Sequence, residues 1–282
     1  MNLSPKLKFD KISVVRSPNS ELNAAKEKLE IVSGAALPPF RIFAGRFFRK
    51  SAFGLIQEYC TKNATNFYKC YYNKIMMGKF IVARHHESEW NKLGKWTGKV
   101  DVGLTDHGFE MSKKMGNLIS DLGIDQAFAS TQIRSVETLF YMEESKCMDV
   151  PITRSAAFNE RDYGIYTGKN KMEMLKLLGE EEFNKLRRAW DYPVPNGETL
   201  KMVYERVVPY YLSTVLPLLK AGKNILLVAH GNSIRALMKY IEKLREDDMM
   251  HVEMLFGAVV IYELSEEGYM VNKEVREVPA DK

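Results

Sequence analysis

Asn224-Ile225-Leu226-Leu227-Val228-Ala229-His230-Gly231-Asn232-Ser233 holds a continuous apolar run that stops at a histidine. A strand apolar at every position has no face for water. That is the pattern of a parallel strand covered on both sides. Upstream, Phe80-Ile81-Val82-Ala83 repeats the theme and ends at Arg84-His85-His86-Glu87-Ser88. Two such strands, each delivering a histidine at its carboxyl end, decide the reading. In open α/β sheets that edge is where ligands bind.

The segments between and beyond them alternate in type. Thr105 is placed to cap a helix with Met111, Met115, Leu118, Ile119 and Leu122 on one face. Residues 126–129 read as a strand, 132–144 as a helix and 151–154 as a short strand. Two charged helical stretches follow at 169–178 and 180–190. A long helix over 200–219 has an inner stripe of Leu200, Val203, Val207, Tyr211, Val215 and Leu219, with Pro209 and Pro217 bending it or limiting its regularity. Residues 259–263 read as a late strand. Strands alternating with helices predict an α/β layered fold.

The chain has 282 residues and a net charge of +5, unevenly spread. Residues 1–75 hold 13 Lys and Arg against 5 Asp and Glu, a balance of +8; the remainder holds 28 against 31, a balance of −3. The basic excess belongs to the amino-terminal stretch, so it is not read as a nucleic-acid signature. Within that stretch, 37–53 mixes Phe40, Phe43, Phe47, Phe48 and Phe53 with arginines, the composition of a targeting or membrane-surface segment or of a loosely attached extension. The domain division predicted is a weakly patterned basic extension over 1–75 and a catalytic domain over 76–282. Three scattered cysteines (Cys60, Cys70, Cys147) make no disulfide framework, and no apolar run is long enough to span a bilayer. A secretory signal is absent from the first thirty residues, so a cytoplasmic location is expected.

Imidazole is substantially neutral near pH 7, so a ring nitrogen can attack phosphorus without prior activation. The charge developing on a transferred phosphoryl group then needs fixed cationic partners. Arg84 beside His85, Arg134 early in its helix, and His230, if protonated, are candidates, as are the N–H groups opening the helix after His230. The scheme asks for no metal ion.

Arg84-His85-His86-Glu87-Ser88-Glu89-Trp90-Asn91, Trp96-Thr97-Gly98 and Leu104-Thr105 with Gly108 resemble the signature of the histidine phosphatase superfamily. More narrowly, Asn159-Glu160-Arg161-Asp162-Tyr163-Gly164, Lys171, Arg187-Arg188 and Ala229-His230-Gly231-Asn232-Ser233 resemble the cofactor-dependent phosphoglycerate mutases, with Ser130 and Thr138 in support. The likeness covers residues 79–264. It implies a three-layer sandwich with a mostly parallel central sheet. It implies that His85 becomes phosphohistidine, with 2,3-bisphosphoglycerate as primer, and that Arg84, Asn91, Arg134 and His230 hold the phosphoryl group. Ser88, Thr97, Gly98, Gly231 and Asn232 lie nearby. Glu160 becomes the general acid/base, and Arg161, Tyr163, Lys171, Arg187 and Arg188 receive the carboxylate and second anionic group of a phosphoglycerate. A homodimer or homotetramer is expected by the same resemblance.

Three departures stand out. His86 occupies the family's glycine position; the segment 191–199 is short where mutases carry an insertion; and the tail after Leu264, which in mutases helps close the site, is modest. A loose lid favours hydrolysis, so a phosphomonoesterase or bisphosphatase of the same fold is the alternative reading. A non-catalytic binding protein is a third. Outside the motif, Trp90 and Trp96 are expected to pack, and His107 and His251 to be structural or exposed.

Overall fold

The computed structural model describes residues 77–145 and 149–279. The 1–75 extension and the three cysteines lie outside these residues. Six strands form one sheet: β1 (Phe80–Arg84), β2 (Gln126–Ala129), β3 (Ile152–Arg154), β4 (Ile225–Ala229), β5 (Ala258–Leu264) and β6 (Met270–Glu277), in the order β3-β2-β4-β1-β5-β6. The first four are mutually parallel, and β5 and β6 are antiparallel additions. The helices are α1 (Glu89–Lys92), α2 (Asp106–Asn117), α3 (Ile133–Glu144), α4 (Lys171–Leu178), α5 (Glu180–Arg188), α6 (Leu200–Tyr210), α7 (Leu216–Lys220) and α8 (Gly231–Ile241).

The apolar runs are buried at every position for the reason their pattern implies. Alternate residues Phe80, Val82, Ile225 and Leu227 pack with Leu200, Val203 and Val207 of α6 and Ile234 and Leu237 of α8. Their neighbours Ile81, Ala83, Leu226 and Val228 pack on the other face with Met115 of α2 and Leu139 and Met142 of α3. Each of these side chains larger than alanine contributes about 1.5–3 kcal/mol by leaving water. The result is three layers, helix on sheet on helix. A third apolar cluster of Trp96, Tyr163, Met174, Phe183, Leu186 and Val194 joins α4 and α5 to the loops of the site.

Side chains at helix starts fix the entry of several elements. Thr105 Oγ1 accepts from Gly108 N–H at 3.0 Å, Asn170 Oδ1 accepts from Met172 N–H at 2.8 Å, and Thr199 caps α6. The long helix expected over 200–219 is interrupted. Tyr211–Val215 forms a π turn in which Leu216 N–H reaches back five residues to Tyr211 O, just before Pro217, which has no N–H to give. The late strand extends to Ala258–Leu264, and the tail beyond it forms β6 on the sheet edge instead of crossing the site.

Candidate active site

β1 and β4 are neighbours, with Arg84 opposite Ala229, so the residues that follow them, His85 and His230, lie side by side. Their rings are 4.8 Å apart between centroids and tilted by 56°. His85 N–H donates to Ala229 O at 2.9 Å, which continues the ladder to the histidine itself. His85 Nδ1 is 2.7 Å from the carbonyl of His86. A carbonyl only accepts, so Nδ1 carries the proton and Nε2 keeps the lone pair. Burial, followed by Arg134 and Arg84, holds the His85 ring well below its usual pKa, so it is neutral at pH 7. His230 Nε2 meets Ser130 Oγ at 2.7 Å. Burial, Arg134 and His85 hold that ring neutral as well. The positive charge considered for His230 is therefore not present in this arrangement; the cationic partners are arginines.

Arg84 and Arg134 flank the pair. Arg84 Nη1 donates to Met254 O at 2.8 Å, and Arg134 donates to Val100 O and Gly98 O, both at 3.0 Å. Burial pulls Arg134 to about 10, still charged at neutral pH. The Nε atoms of both arginines and Thr97 Oγ1 are buried with no protein partner among the described residues. Buried donors without acceptors cost free energy, and the oxygens of an anion would satisfy them. Gly98 has φ +54°, and a β-carbon there would come within 3.1 Å of Thr167 Oγ1, so a side chain would disturb the turn that supplies the carbonyl to Arg134. Asn91 opens onto the same space. Ser88 Oγ donates to Asn91 Oδ1 at 2.8 Å and caps α1 by accepting from Asn91 N–H, while Ser88 N–H donates to the same Asn91 oxygen.

Glu160 is 8% exposed and does not form the surface ion pair its neighbour Arg161 would suggest. Its Oε1 accepts from Arg161 N–H at 2.7 Å and from Asn232 N–H at 3.2 Å. Its backbone is held from behind. Glu160 N–H donates to Gln132 Oε1 at 2.7 Å, and Arg206 Nη2 donates to Glu160 O at 3.2 Å. Arg206 also binds Ala157 O, Asn159 O and the Glu198 carboxylate.

Lys171 at the start of α4 and Arg187 and Arg188 at the end of α5 form a second cationic cluster. Burial and then Arg187 lower Lys171 to about 8. Arg188 Nη2 pairs with Glu253 Oε2 at 3.1 Å. The α5 terminus is held by two buried arginines: Arg161 donates to Leu186 O at 2.8 Å, and Arg235 donates to Arg188 O at 2.8 Å and to Asn232 Oδ1 at 2.9 Å. Asn232 in turn donates to Tyr163 OH at 2.9 Å.

One cleft of about 690 Å³ opens on nearly all of these groups, including Arg84, His85, Arg134, Glu160, Lys171 and Arg187, with Asn91, Thr97, Gly98, Tyr163, Arg188, Gly231 and Asn232. Three residues expected in the site do not line it. Ser88 serves Asn91, Arg161 braces α5 and lies over the Tyr163 ring at 4.5 Å, and His230 stands behind His85. Sequence reasoning missed Lys95, Glu253 and Met254, which line it beside Arg235, and Gln132 and Arg206, which support Glu160. Arg206 had one usable signal, a charge beside the inner stripe at Val207. Trp96 packs as expected against Tyr163 and Phe183 yet also lines the cleft. His107 is exposed but not alone, its ring standing 5.4 Å from His86.

The model of the histidine phosphatase superfamily (branch 1) matches residues 80–275. A 2,3-bisphosphoglycerate-dependent phosphoglycerate mutase of Parvibaculum lavamentivorans is 39% identical over 203 residues, covering 71% of this chain and 97% of its own. A protein of the same name from Lactobacillus acidophilus is 38% identical over 226 residues, covering 70% and 98%. Among solved structures, the mycobacterial glucosyl-3-phosphoglycerate phosphatase superposes with a TM-score of 0.61 at 17% identity, over 70% of this chain and 97% of its own. The α-ribazole phosphatase of Shigella flexneri gives 0.58 at 19%, over 71% and 95%. At such identities these two speak for the fold alone. With the paired histidines, the buried glutamate and both cationic clusters in place, the chain belongs to the histidine phosphatase superfamily and, within it, to the family of the 2,3-bisphosphoglycerate-dependent phosphoglycerate mutases.

Proposed function

We propose that this protein interconverts 3-phosphoglycerate and 2-phosphoglycerate through a phosphohistidine at His85. The observation that carries the reading is the presence of two cationic clusters in one cleft with a neutral imidazole. Arg84 and Arg134 act on that imidazole, and Lys171, Arg187 and Arg188 line the same cleft from α4 and α5. A substrate with a phosphate and a carboxylate needs both; a simple phosphomonoester needs one.

The unpartnered Nε atoms of Arg84 and Arg134 fit a polyanion, and these residues with Lys171 and Arg187 would hold 2,3-bisphosphoglycerate. When bound, that compound supplies the phosphoryl group. The chain's own residues do the rest. His85 Nε2 offers its lone pair because Nδ1–H is committed to His86 O. Arg84 and Arg134 neutralise charge as it develops on the phosphoryl oxygens. Glu160, oriented by the Arg161 and Asn232 N–H groups, exchanges a proton with the substrate hydroxyl that gives or takes the phosphoryl group.

A second reading, hydrolysis by the same residues, is favoured by one observation. The 191–199 segment is a short loop, packed so tightly that a β-carbon on Gly164 would lie 1.9 Å from Pro195 O, and none of its residues lines the cleft. The test is to give pure protein 3-phosphoglycerate with a trace of 2,3-bisphosphoglycerate. Rapid isomerisation is expected from the protein, and none from His85→Ala. Release of inorganic phosphate without isomerisation would establish the phosphatase instead.

A further inference from the structure

We propose that Phe256, braced by His86, shields the Arg84–His85 pair and so directs the phosphoryl group to the substrate hydroxyl rather than to water. This rests on the mutase reading above. The carboxyl-terminal segment is not available as a cover among the described residues, since β6 runs along the sheet edge and Val278 N–H returns to Gly257 O at 3.1 Å. Of the segment Glu253–Gly257, Glu253 and Met254 line the cleft. Glu253 ties it to Arg188, and Met254 O accepts from Arg84. Gly257, at φ +74°, makes the turn into β5.

Phe256 sits at the centre of this segment. The Arg84 guanidinium carbon lies 3.8 Å from its ring centroid, the His85 ring stands edge-on at 6.0 Å and the His86 ring at 5.6 Å. His86 is itself backed by His107. A glycine at position 86 would leave Phe256 without that platform, so the departure from the family pattern acquires a role. Phe256 remains 39% exposed, with one part of the ring against the site and the rest in water. A π face laid on a guanidinium keeps water from it, and a less hydrated arginine holds phosphoryl oxygens more firmly.

The competing step is hydrolysis. A water oxygen bonds to phosphorus as the bond to His85 Nε2 breaks, the electron pair returns to Nε2 and the water's proton passes to solvent. The products are inorganic phosphate and free His85. Its rate relative to transfer depends on how many waters reach the phosphoryl group and how tightly Arg84 restrains it.

The experiment measures inorganic phosphate released per isomerisation in one reaction of the full chain with 3-phosphoglycerate and trace 2,3-bisphosphoglycerate. This ratio does not depend on the fraction of active protein. Phe256→Ala is expected to raise it about fivefold or more, His86→Gly to raise it in the same direction, the double variant to add little, and Phe256→Tyr to stay near wild type. A folded Phe256→Ala with a ratio within about twofold of wild type, or Phe256→Tyr as leaky as Phe256→Ala, overturns the shield. Strict additivity of the two changes overturns the part given to His86. If wild type releases phosphate without isomerising, the mutase reading falls and takes this inference with it. Normal isomerisation with an unmoved ratio sinks the inference alone.

Discussion

A proton on Nδ1 of His85, committed to the carbonyl of the next residue, decides which ring nitrogen does chemistry. Lys171 sets the second condition at this scale. Burial and Arg187 bring it to about 8, so its charge is present below that pH and is lost as pH rises through it. With 3-phosphoglycerate, kcat/KM is expected to fall above about pH 8, and Lys171→Arg should carry the plateau to higher pH; an unmoved alkaline limb would clear Lys171 of that role. Arg187→Ala should cost about tenfold or more in kcat/KM for phosphoglycerate, the worth of one charge-assisted contact, and much less in hydrolysis of a small aryl phosphate. Equal losses would mean Arg187 does not read the carboxylate. Most residues that line the cleft were legible because they fall in short motifs at strand ends and helix termini. Lys95 and Glu253 were not, because a charged side chain in a loop carries no local sign of which cleft it will face.

At the scale of elements, α6 matters to the chemistry without touching it. Arg206 reaches from it to three carbonyls of one loop, those of Ala157, Asn159 and Glu160, and to Glu198. Replacing it leaves those carbonyls to water and frees the loop that carries Glu160. Arg206→Met is expected to lower kcat about tenfold while KM changes little, and to cost about 2 kcal/mol of stability by denaturant titration. A kcat like wild type would show that Glu160 is positioned without it. The helices over 171–178 and 180–188 were readable from their periodicity and charge. The break in 200–219 was foreshadowed by its prolines, although the π turn was not, since choosing between a kink and a widened turn depends on what the flanks pack against. β6 was missed because Met270-Val271-Asn272-Lys273-Glu274-Val275-Arg276-Glu277 is paired on one side and solvated on most of its surface, so it lacks the apolar pattern of a covered strand.

At the scale of the whole molecule, the superfamily match spans residues 80–275, and 71% of this chain covers 97% of a curated relative. A chain starting at Met76 is therefore expected to fold with an unchanged melting temperature and to retain its kcat; an insoluble or inactive product would show that residues 1–75 contribute to the catalytic domain. The layered α/β architecture was predictable because fully apolar strands and amphipathic helices leave few other ways to bury both faces. The antiparallel edge joins β5, readable as a strand but not in its direction, to β6, which was not readable.

The pairing of β1 with β4 runs unbroken from Phe80–Ile225 to Arg84–Ala229. The two imidazoles consequently ride on a frame with no joint between them, and neither can travel toward a substrate. Selectivity has to be exercised by what surrounds this fixed anvil, so the loops at 191–199 and 253–257 are the places where a new preference could be written while the machinery beneath stays as it is.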